Sequence, residues 1–98
     1  MEFKCNREGD TLTISVIGRV DTTTAPDFEK CIMDNVGDAT NLVLDLSEMA
    51  YTSSAGLRVL LRAQKMMNAK GSMKLTGVQS DVMDILEITG FTDILTIA

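Results

Sequence analysis

Two stretches near the start of the chain alternate apolar with polar residues and therefore predict strands. Phe3 and Cys5 alternate with polar neighbours, and the apolar side chains of residues 12–16 alternate with threonine and serine. A period of two places every second side chain on one face of a strand, so that face can pack on a core. Residues 7–10 have turn-like composition, and we expect the two strands to form a hairpin.

Apolar residues recur with helical spacing in three later segments. These segments begin at a cap on Thr23 or Thr24, at Ser54 and near Val82, and they end before Gly37, near Lys70 and before Gly90. A serine or threonine hydroxyl caps the first turn of a helix, and glycine often follows the last turn because it adopts left-handed conformations. Three helices are therefore predicted.

Three more short apolar runs predict strands between and after the helices. Residues 42–46 are almost wholly apolar, which is typical of a strand covered by helices on both faces or placed at the centre of a sheet. Residues 73–76 and 94–97 predict a fourth and a fifth strand. The order β-β-α-β-α-β-α-β favours an α/β fold with a mixed, mainly parallel sheet and right-handed crossovers.

Composition narrows the class of protein. With 98 residues, of which 45% are hydrophobic and 23% charged, the chain predicts one globular domain over 1–98. No apolar run approaches the ~20 residues of a membrane-spanning helix, and the first residues lack the layout of a signal peptide. We therefore expect a cytoplasmic protein without membrane insertion. A net charge of −5 argues against nucleic acid as a partner, because phosphate binding needs clustered lysine and arginine.

The chain contains no histidine, which excludes histidine-based triads, imidazole general bases and histidine-liganded zinc. It also lacks a glycine-rich phosphate loop and a Gly-x-Ser-x-Gly elbow. Cys5 and Cys31 are far apart in the sequence and form no Cys-x-x-Cys pair, so we expect plain buried thiols. The prediction is a protein that is not an enzyme and has no catalytic residue, metal or cofactor.

The segment 45–57 is the most informative for function, since it joins the most apolar strand to the second helix. It places Ser53 and Ser54 at the predicted helix start, where free N–H groups and the helix dipole favour a phosphate. Arg58 follows one turn later and can pair with such a phosphate. The same spacing suits a serine that only caps the helix, and Gly56 equally suits close packing.

This segment resembles the signature of the STAS domain, the family of anti-sigma factor antagonists. Members carry Asp-Leu-Ser after a buried strand and then a serine, a small residue and Gly-Leu at a helix start, which Asp45–Ser47 and Ser54–Leu57 match. A second family feature, Gly-x-hydrophobic-Asp before the first helix, is matched by Gly18–Asp21. The predicted element order is also that of the family, so the resemblance covers nearly the whole chain.

The resemblance implies a switch by phosphorylation. The unphosphorylated form of such a protein binds an anti-sigma factor that is also a serine kinase, and a sigma factor is released. The kinase then phosphorylates the serine before the small-Gly-Leu triplet, here Ser54, and a phosphatase restores the active form. Ser53 stands where some members have aspartate, and it is a second candidate acceptor. The expected surroundings of the phosphosite are Asp21, Asp45, Ser47, Gly56 and Arg58.

A partner surface is expected beside the switch serine. Met33 and Leu61 fall outside the main apolar arcs of the first and second helices, and Arg58 and Lys65 lie on the flank that carries Ser54. A partly exposed apolar centre with a basic rim is typical of an interface. The alternative is an ordinary solvated face.

Two other functions stay open on the sequence alone. The first is a STAS binding module of a stress-signalling or lipid-transport assembly. The second is a receiver-like domain phosphorylated on Asp45, which lies near the end of a buried strand. The receiver interpretation requires an acidic pair after the first strand and a lysine near the last strand, and the chain has neither.

Overall fold

The computed structural model describes residues 1–98 and contains four strands, three α-helices and a short 3₁₀ helix. In chain order the elements are β1 (Glu2–Glu8), β2 (Thr11–Val20), α1 (Ala25–Val36), β3 (Asn41–Thr52), α2 (Ser54–Lys70), β4 (Ser72–Thr76), α3 (Ser80–Ile88) and the 3₁₀ helix (Phe91–Asp93). All three predicted helices are confirmed, and Gly37 and Gly71 are the C-caps of α1 and α2. None of the helices combines the length and the apolar character needed to span a bilayer.

The strands form one sheet in the order β1-β2-β3-β4. β1 and β2 pair antiparallel through a turn at Gly9, whose φ of 58° favours glycine, whereas β2, β3 and β4 pair parallel. The predicted hairpin and the mixed, mainly parallel sheet are confirmed. β3 lies between β2 and β4, and its buried Leu42 and Leu44 alternate with the half-buried Val43 and Asp45. Of the two environments predicted for this strand, the sheet centre is the correct one.

A cluster of 23 buried apolar residues joins the sheet to the helices. Each helix contributes side chains spaced three or four residues apart, which places them on one face. They include Phe28 and Ile32 from α1, Leu57, Leu60 and Met67 from α2, and Val82 and Leu86 from α3. Burial of each such side chain stabilises the fold by ~1.5–3 kcal/mol. This packing holds α1 and α2 against β2 and β3, on which the candidate site lies.

β3 is longer than the sequence predicts. Beyond Leu46 it continues for six residues, over 47–52, and stays paired with β2 as far as Thr52. The register between the two strands shifts at two places, between Ser15 and Ile17 and between Gly18 and Arg19. Bulges of this kind interrupt the alternation of apolar and polar residues, so the sequence carries no continuous strand signal.

The predicted final strand over 94–97 is wrong as a regular strand. The chain instead makes the 3₁₀ helix and then a single parallel bridge between Leu75 and Ile97. The amide of Leu95 still donates to the carbonyl of Phe91 at 2.8 Å, so only the last three residues extend beside β4. Their pairing with β4 is limited to two hydrogen bonds at Leu75. The carbonyl of Thr96 accepts from its amide, and the amide of Ala98 donates to its carbonyl.

The two cysteines lie side by side, although they are distant in the sequence. The Sγ atoms of Cys5 on β1 and Cys31 on α1 are 3.6 Å apart. Cys5 is exposed, Cys31 is half-buried, and both are free thiols. The prediction of plain buried thiols is therefore wrong for Cys5. β1 is an edge strand, so its side chains are less covered than those of the central strands.

Candidate functional site

The candidate site lies where β2 and β3 end side by side. The two strands are parallel, and their last paired residues are Val20 and Thr52. The amide of Ser53 donates to the carbonyl of Val20 at 2.8 Å, which joins the start of α2 to the end of β2. Asp21 follows β2 and Ser54 begins α2, so the fold brings these two predicted site residues to the same edge of the sheet.

Ser53 and Ser54 have different surroundings. Ser53 is the N-cap of α2: it has extended backbone angles, and its hydroxyl accepts from the amide of Gly56 at 3.5 Å. Its carbonyl accepts from the amide of Leu57 at 3.0 Å. Ser54 is the first residue of the helix, is exposed, and its hydroxyl makes no hydrogen bond within the chain. Ser54 is therefore the more exposed of the two serines and the one whose hydroxyl is not engaged.

Gly56 permits the close approach of α2 to the sheet. A Cβ atom at this position would lie 2.3 Å from Oγ1 of Thr52 and 2.7 Å from Cγ1 of Val20. Both neighbours are β-branched, buried and restricted in χ1, so they cannot easily turn away. The close-packing interpretation of this glycine agrees with the structure, and the packing fixes where the first turn of α2 presents Ser54.

Asp21 organises the turn before α1. Its Oδ1 accepts from the amide of Thr23 at 2.9 Å, the hydroxyl of Thr23 at 2.7 Å and the amide of Thr24 at 3.0 Å. The hydrogen bond from the Thr23 hydroxyl, followed by those from the two amides, holds the pKa of Asp21 below its usual value. The carboxylate is thus ionised at neutral pH, and none of its hydrogen bonds goes to Ser54.

Thr24 is the N-cap of α1, as one of the two predicted caps, but its side chain does not cap the helix. Its hydroxyl donates instead to the carbonyl of Arg19 at 2.9 Å and accepts from the amide of Asp21 at 2.8 Å. The hydroxyl therefore closes the turn that carries Asp21. Together the two side chains hold the chain between β2 and α1 next to the start of α2.

Asp45 and Ser47 lie elsewhere, which corrects their predicted place in the phosphosite surroundings. Asp45 sits within β3 and pairs with Ser15, five positions before Val20 on β2, which at ~3.3 Å per residue places it about 16 Å from the pair of Val20 and Thr52. Its Oδ1 accepts from the amide of Ser47 at 3.0 Å, and this hydrogen bond lowers the pKa of Asp45. The error arose because β3 ends at Thr52 and not at Leu46.

Two arginines lie on one side of a groove between α1 and α2, which begins at Ala55 next to Ser54. The groove is lined by Thr22, Ala25, Pro26 and Glu29 on one side and by Ala55, Arg58, Val59 and Arg62 on the other. Nε of Arg62 pairs with Oε2 of Glu29 at 2.6 Å and bridges the two helices. Arg58 and Lys65 are exposed and belong to none of the ion pairs of the chain. The two apolar residues predicted for a partner surface are accessible, Met33 being 49% exposed and Leu61 half-buried.

Arg19 and Tyr51 are candidate partner contacts that the sequence did not reveal. They face each other across β2 and β3, one position before the pair of Val20 and Thr52. The guanidinium carbon of Arg19 lies 4.4 Å from the centroid of the Tyr51 ring, and both side chains are exposed. Exposed tyrosine and arginine often dominate binding energy at interfaces. Tyr51 is the one tyrosine of the chain, but its place on the sheet becomes visible only once β3 extends to Thr52.

The profile of the STAS domain matches residues 3–98. The chain belongs to the STAS domain family. It is similar to the anti-sigma-B factor antagonist of Listeria monocytogenes, with 33% identity over 93% of this chain and 82% of that protein. Solved structures of the same fold include an anti-sigma factor antagonist from Mycobacterium paratuberculosis (23% identity, TM-score 0.89, covering 98% of this chain and 83% of that chain). Another is the phosphorylated form of the Bacillus cell fate determinant SpoIIAA (16% identity, TM-score 0.75, covering 99% and 91%).

The stretches of this STAS domain that resemble the family signature have two separate structural roles. Gly18–Asp21 and Ser54–Leu57 meet at the ends of β2 and β3 and build the surroundings of Ser54. Asp45–Ser47 instead accompanies the register shift between β2 and β3, and Nε2 of Gln79 donates to the carbonyl of Ser47 at 2.8 Å. The first pair of stretches is thus close to Ser54, whereas the third lies further back along the sheet.

Proposed function

We propose that this STAS domain is an anti-sigma factor antagonist whose binding is switched off by phosphorylation of Ser54. In the unphosphorylated state it binds an anti-sigma factor, and a sigma factor is released. The similarity to the anti-sigma-B factor antagonist of Listeria monocytogenes, with 33% identity over 93% of this chain, supports this function. The observation that carries the switch is the exposed Ser54 hydroxyl at the start of α2, beside a Ser53 hydroxyl already used as a cap.

A phosphate on Ser54 is compatible with the fold. At the first residue of α2 it meets unpaired backbone N–H groups and the positive end of the helix dipole. Arg58 lies one turn further along the same helix and is free to make a charge-assisted contact with it. Phosphorylation therefore acts on the surface of a folded domain. A protein of the same fold, SpoIIAA, has a structure in its phosphorylated form, which fits this reasoning.

The partner surface of the proposal, here called the α1–α2 face, surrounds Ser54. One side consists of Arg58, Leu61 and Lys65 on α2, all within reach of each other at spacings of three and four residues. Met33 continues this surface on α1, because it lies one turn after Glu29 and Glu29 contacts Arg62. The Arg19–Tyr51 pair adds an aromatic and a cationic contact at the end of the sheet.

The proposed partner is a serine kinase, since the switch requires an enzyme that recognises this face and transfers a phosphate from ATP to Ser54. A phosphatase that acts on phosphoserine completes the cycle. The domain itself acts by binding and is a substrate of both enzymes. Phosphorylation weakens the complex for two reasons. It places ~−1.5 to −2 charge in the contact near the ionised Asp21, and it engages Arg58, which the partner otherwise contacts.

The phosphosite is tested by incubating the protein with ATP and the serine-kinase anti-sigma factor of the same organism, followed by intact mass measurement. We expect one phosphate on the wild type and none on Ser54→Ala. Ser53→Ala should still accept a phosphate, because its hydroxyl serves as a cap and is half-buried. Ser80→Ala is the matched control, since Ser80 is likewise the exposed first residue of a helix.

Two results would contradict this assignment. A phosphate that persists on Ser54→Ala and disappears from Ser53→Ala would move the switch to the capping serine. A wild type that none of the serine-kinase anti-sigma factors of the organism binds or phosphorylates would remove the anti-sigma role itself. The domain would then be a binding module with another partner.

A further inference from the structure

The packing of β1 on α1 holds the thiols of Cys5 and Cys31 next to each other. Cys5 pairs with Ile14 in the antiparallel ladder, which fixes its height along the sheet. Two residues earlier, on the same face of β1, the ring of Phe3 stacks on Phe28 of α1 with centroids 6.0 Å apart and an interplanar angle of 11°. Phe28 lies three residues before Cys31 on α1, so both pairs join the same two elements. The strand and the helix are thus pinned at two neighbouring points.

Little movement separates this arrangement from a covalent bond. The Sγ atoms are 3.6 Å apart, and a disulfide requires about 2.05 Å. The two sulphur atoms therefore need to approach each other by about 1.5 Å more. Cys5 is exposed and therefore meets reagents from solvent, whereas Cys31 lies behind it and is half-buried.

We propose that Cys5 and Cys31 form an oxidative modification site, which a small disulfide such as oxidised glutathione converts to an intramolecular disulfide. The thiolate of Cys5 attacks one sulphur of the oxidant, a mixed disulfide forms, and the first glutathione leaves as a thiolate. The thiolate of Cys31 then attacks Sγ of Cys5 and expels the second glutathione. The two cysteines lose two electrons and two protons, and the oxidant is reduced to two thiols that take up those protons.

The surroundings of the thiols fix the order of these steps. Burial, followed by the hydrogen bond with Cys5, raises the pKa of Cys31 to about 12. Because the thiolate is the attacking species, Cys31 is a poor nucleophile towards an external reagent. It acts in the second step, where its target is already within contact distance. Exposure and reactivity therefore both assign the first attack to Cys5.

The disulfide would tie the edge strand β1 to α1 and close a loop of about 26 residues. Restriction of the unfolded chain by a loop of this length raises the midpoint of thermal unfolding by about 10 °C or more. The site uses neither Ser54 nor the α1–α2 face, so the test of this proposal does not depend on whether the proposed function is correct.

The test is to incubate the full chain and the variants Cys5→Ser and Cys31→Ser with oxidised glutathione, and to measure intact mass and thermal unfolding. We expect the wild type to lose two hydrogens and to retain no glutathione. Cys31→Ser should accumulate one glutathione adduct, because the resolving thiol is absent. Cys5→Ser should react at least about tenfold more slowly than Cys31→Ser, since only the half-buried thiol is left.

The expected gain in the unfolding midpoint of the oxidised wild type should disappear on addition of dithiothreitol. A wild type that keeps a glutathione adduct to the same extent as Cys31→Ser would overturn the proposal, because the two thiols would then not react with each other. Disulfide-linked dimers as the main product, or a lower midpoint after oxidation, would overturn it equally.

Discussion

At the scale of single residues, Ser53 and Ser54 are chemically identical neighbours to which the fold gives different tasks. The extended backbone of Ser53 turns its hydroxyl onto the amide of Gly56, while Ser54 already belongs to the helix, is exposed and leaves its hydroxyl without a partner in the chain. The family signature in the sequence predicts Ser54 as the acceptor. The spacing in the sequence suits either serine as a helix cap, and the backbone angles assign this role to Ser53. The contact of Cys5 with Cys31 was invisible in the sequence, because it arises from tertiary packing.

Asp21 should contribute stability that depends on pH. Its hydrogen bonds to Thr23 and Thr24 lower its folded pKa below the ordinary value of 3.8. Such a carboxylate stabilises the fold fully above the unfolded pKa and loses this contribution as the pH falls through the folded pKa. We expect Asp21→Asn to lower the urea midpoint at pH 7, and the difference from the wild type to shrink below about pH 4.

Asp93→Asn is the control for that measurement, because the Asp93 side chain is exposed and has no hydrogen-bond partner in the chain. It should change the midpoint at pH 7 less than Asp21→Asn does. A difference between Asp21→Asn and the wild type that stays constant from pH 7 to pH 3 would contradict this prediction. It would show that the stabilisation by Asp21 does not depend on the ionised form of its carboxylate.

At the scale of secondary structure, the helices followed from the sequence much better than the strands. Apolar spacing and terminal glycines located α1, α2 and α3, since these signals are local. β3 was underestimated because two register shifts interrupt its alternation, and that error displaced Asp45 and Ser47 into the site. The final strand was overestimated because 94–97 has strand-like composition. In the structure the amides of Ile94 and Leu95 donate to the carbonyl of Phe91 and therefore do not pair with β4.

The junction between α2 and the sheet should be sensitive to a single methyl group. Gly56→Ala gains about 1 kcal/mol of helix propensity, but the new Cβ would overlap Oγ1 of Thr52 and Cγ1 of Val20. Overpacking of this kind costs about 1–3 kcal/mol, so we expect a net loss of unfolding free energy in urea titrations. The same substitution in a Thr52→Ala background should cost less, because the nearest overlapping atom is gone. Equal costs in both backgrounds would place the strain elsewhere.

At the scale of the whole molecule, the fold gathers a surface from segments that are distant in the chain. The ends of two parallel strands bring the turn after β2 beside the start of α2, and the core packs α1 against α2. The α1–α2 face therefore combines the exposed Met33, the half-buried Leu61, free basic groups and one serine that accepts phosphate in the proposal. A binding surface that carries its own charge switch needs no change of fold, only a change in the free energy of the contact.

The most direct test of this account compares the affinity of the unphosphorylated and the phosphorylated wild type for the serine-kinase anti-sigma factor of the same organism. Isothermal titration calorimetry at physiological salt measures both, with Ser54→Ala carried through the kinase reaction as the control. We expect phosphorylation to weaken binding by at least about 100-fold, which corresponds to about 2.7 kcal/mol, while Ser54→Ala keeps the affinity of the unphosphorylated protein. Equal affinities of the two wild-type forms would contradict the central claim that Ser54 is a binding switch.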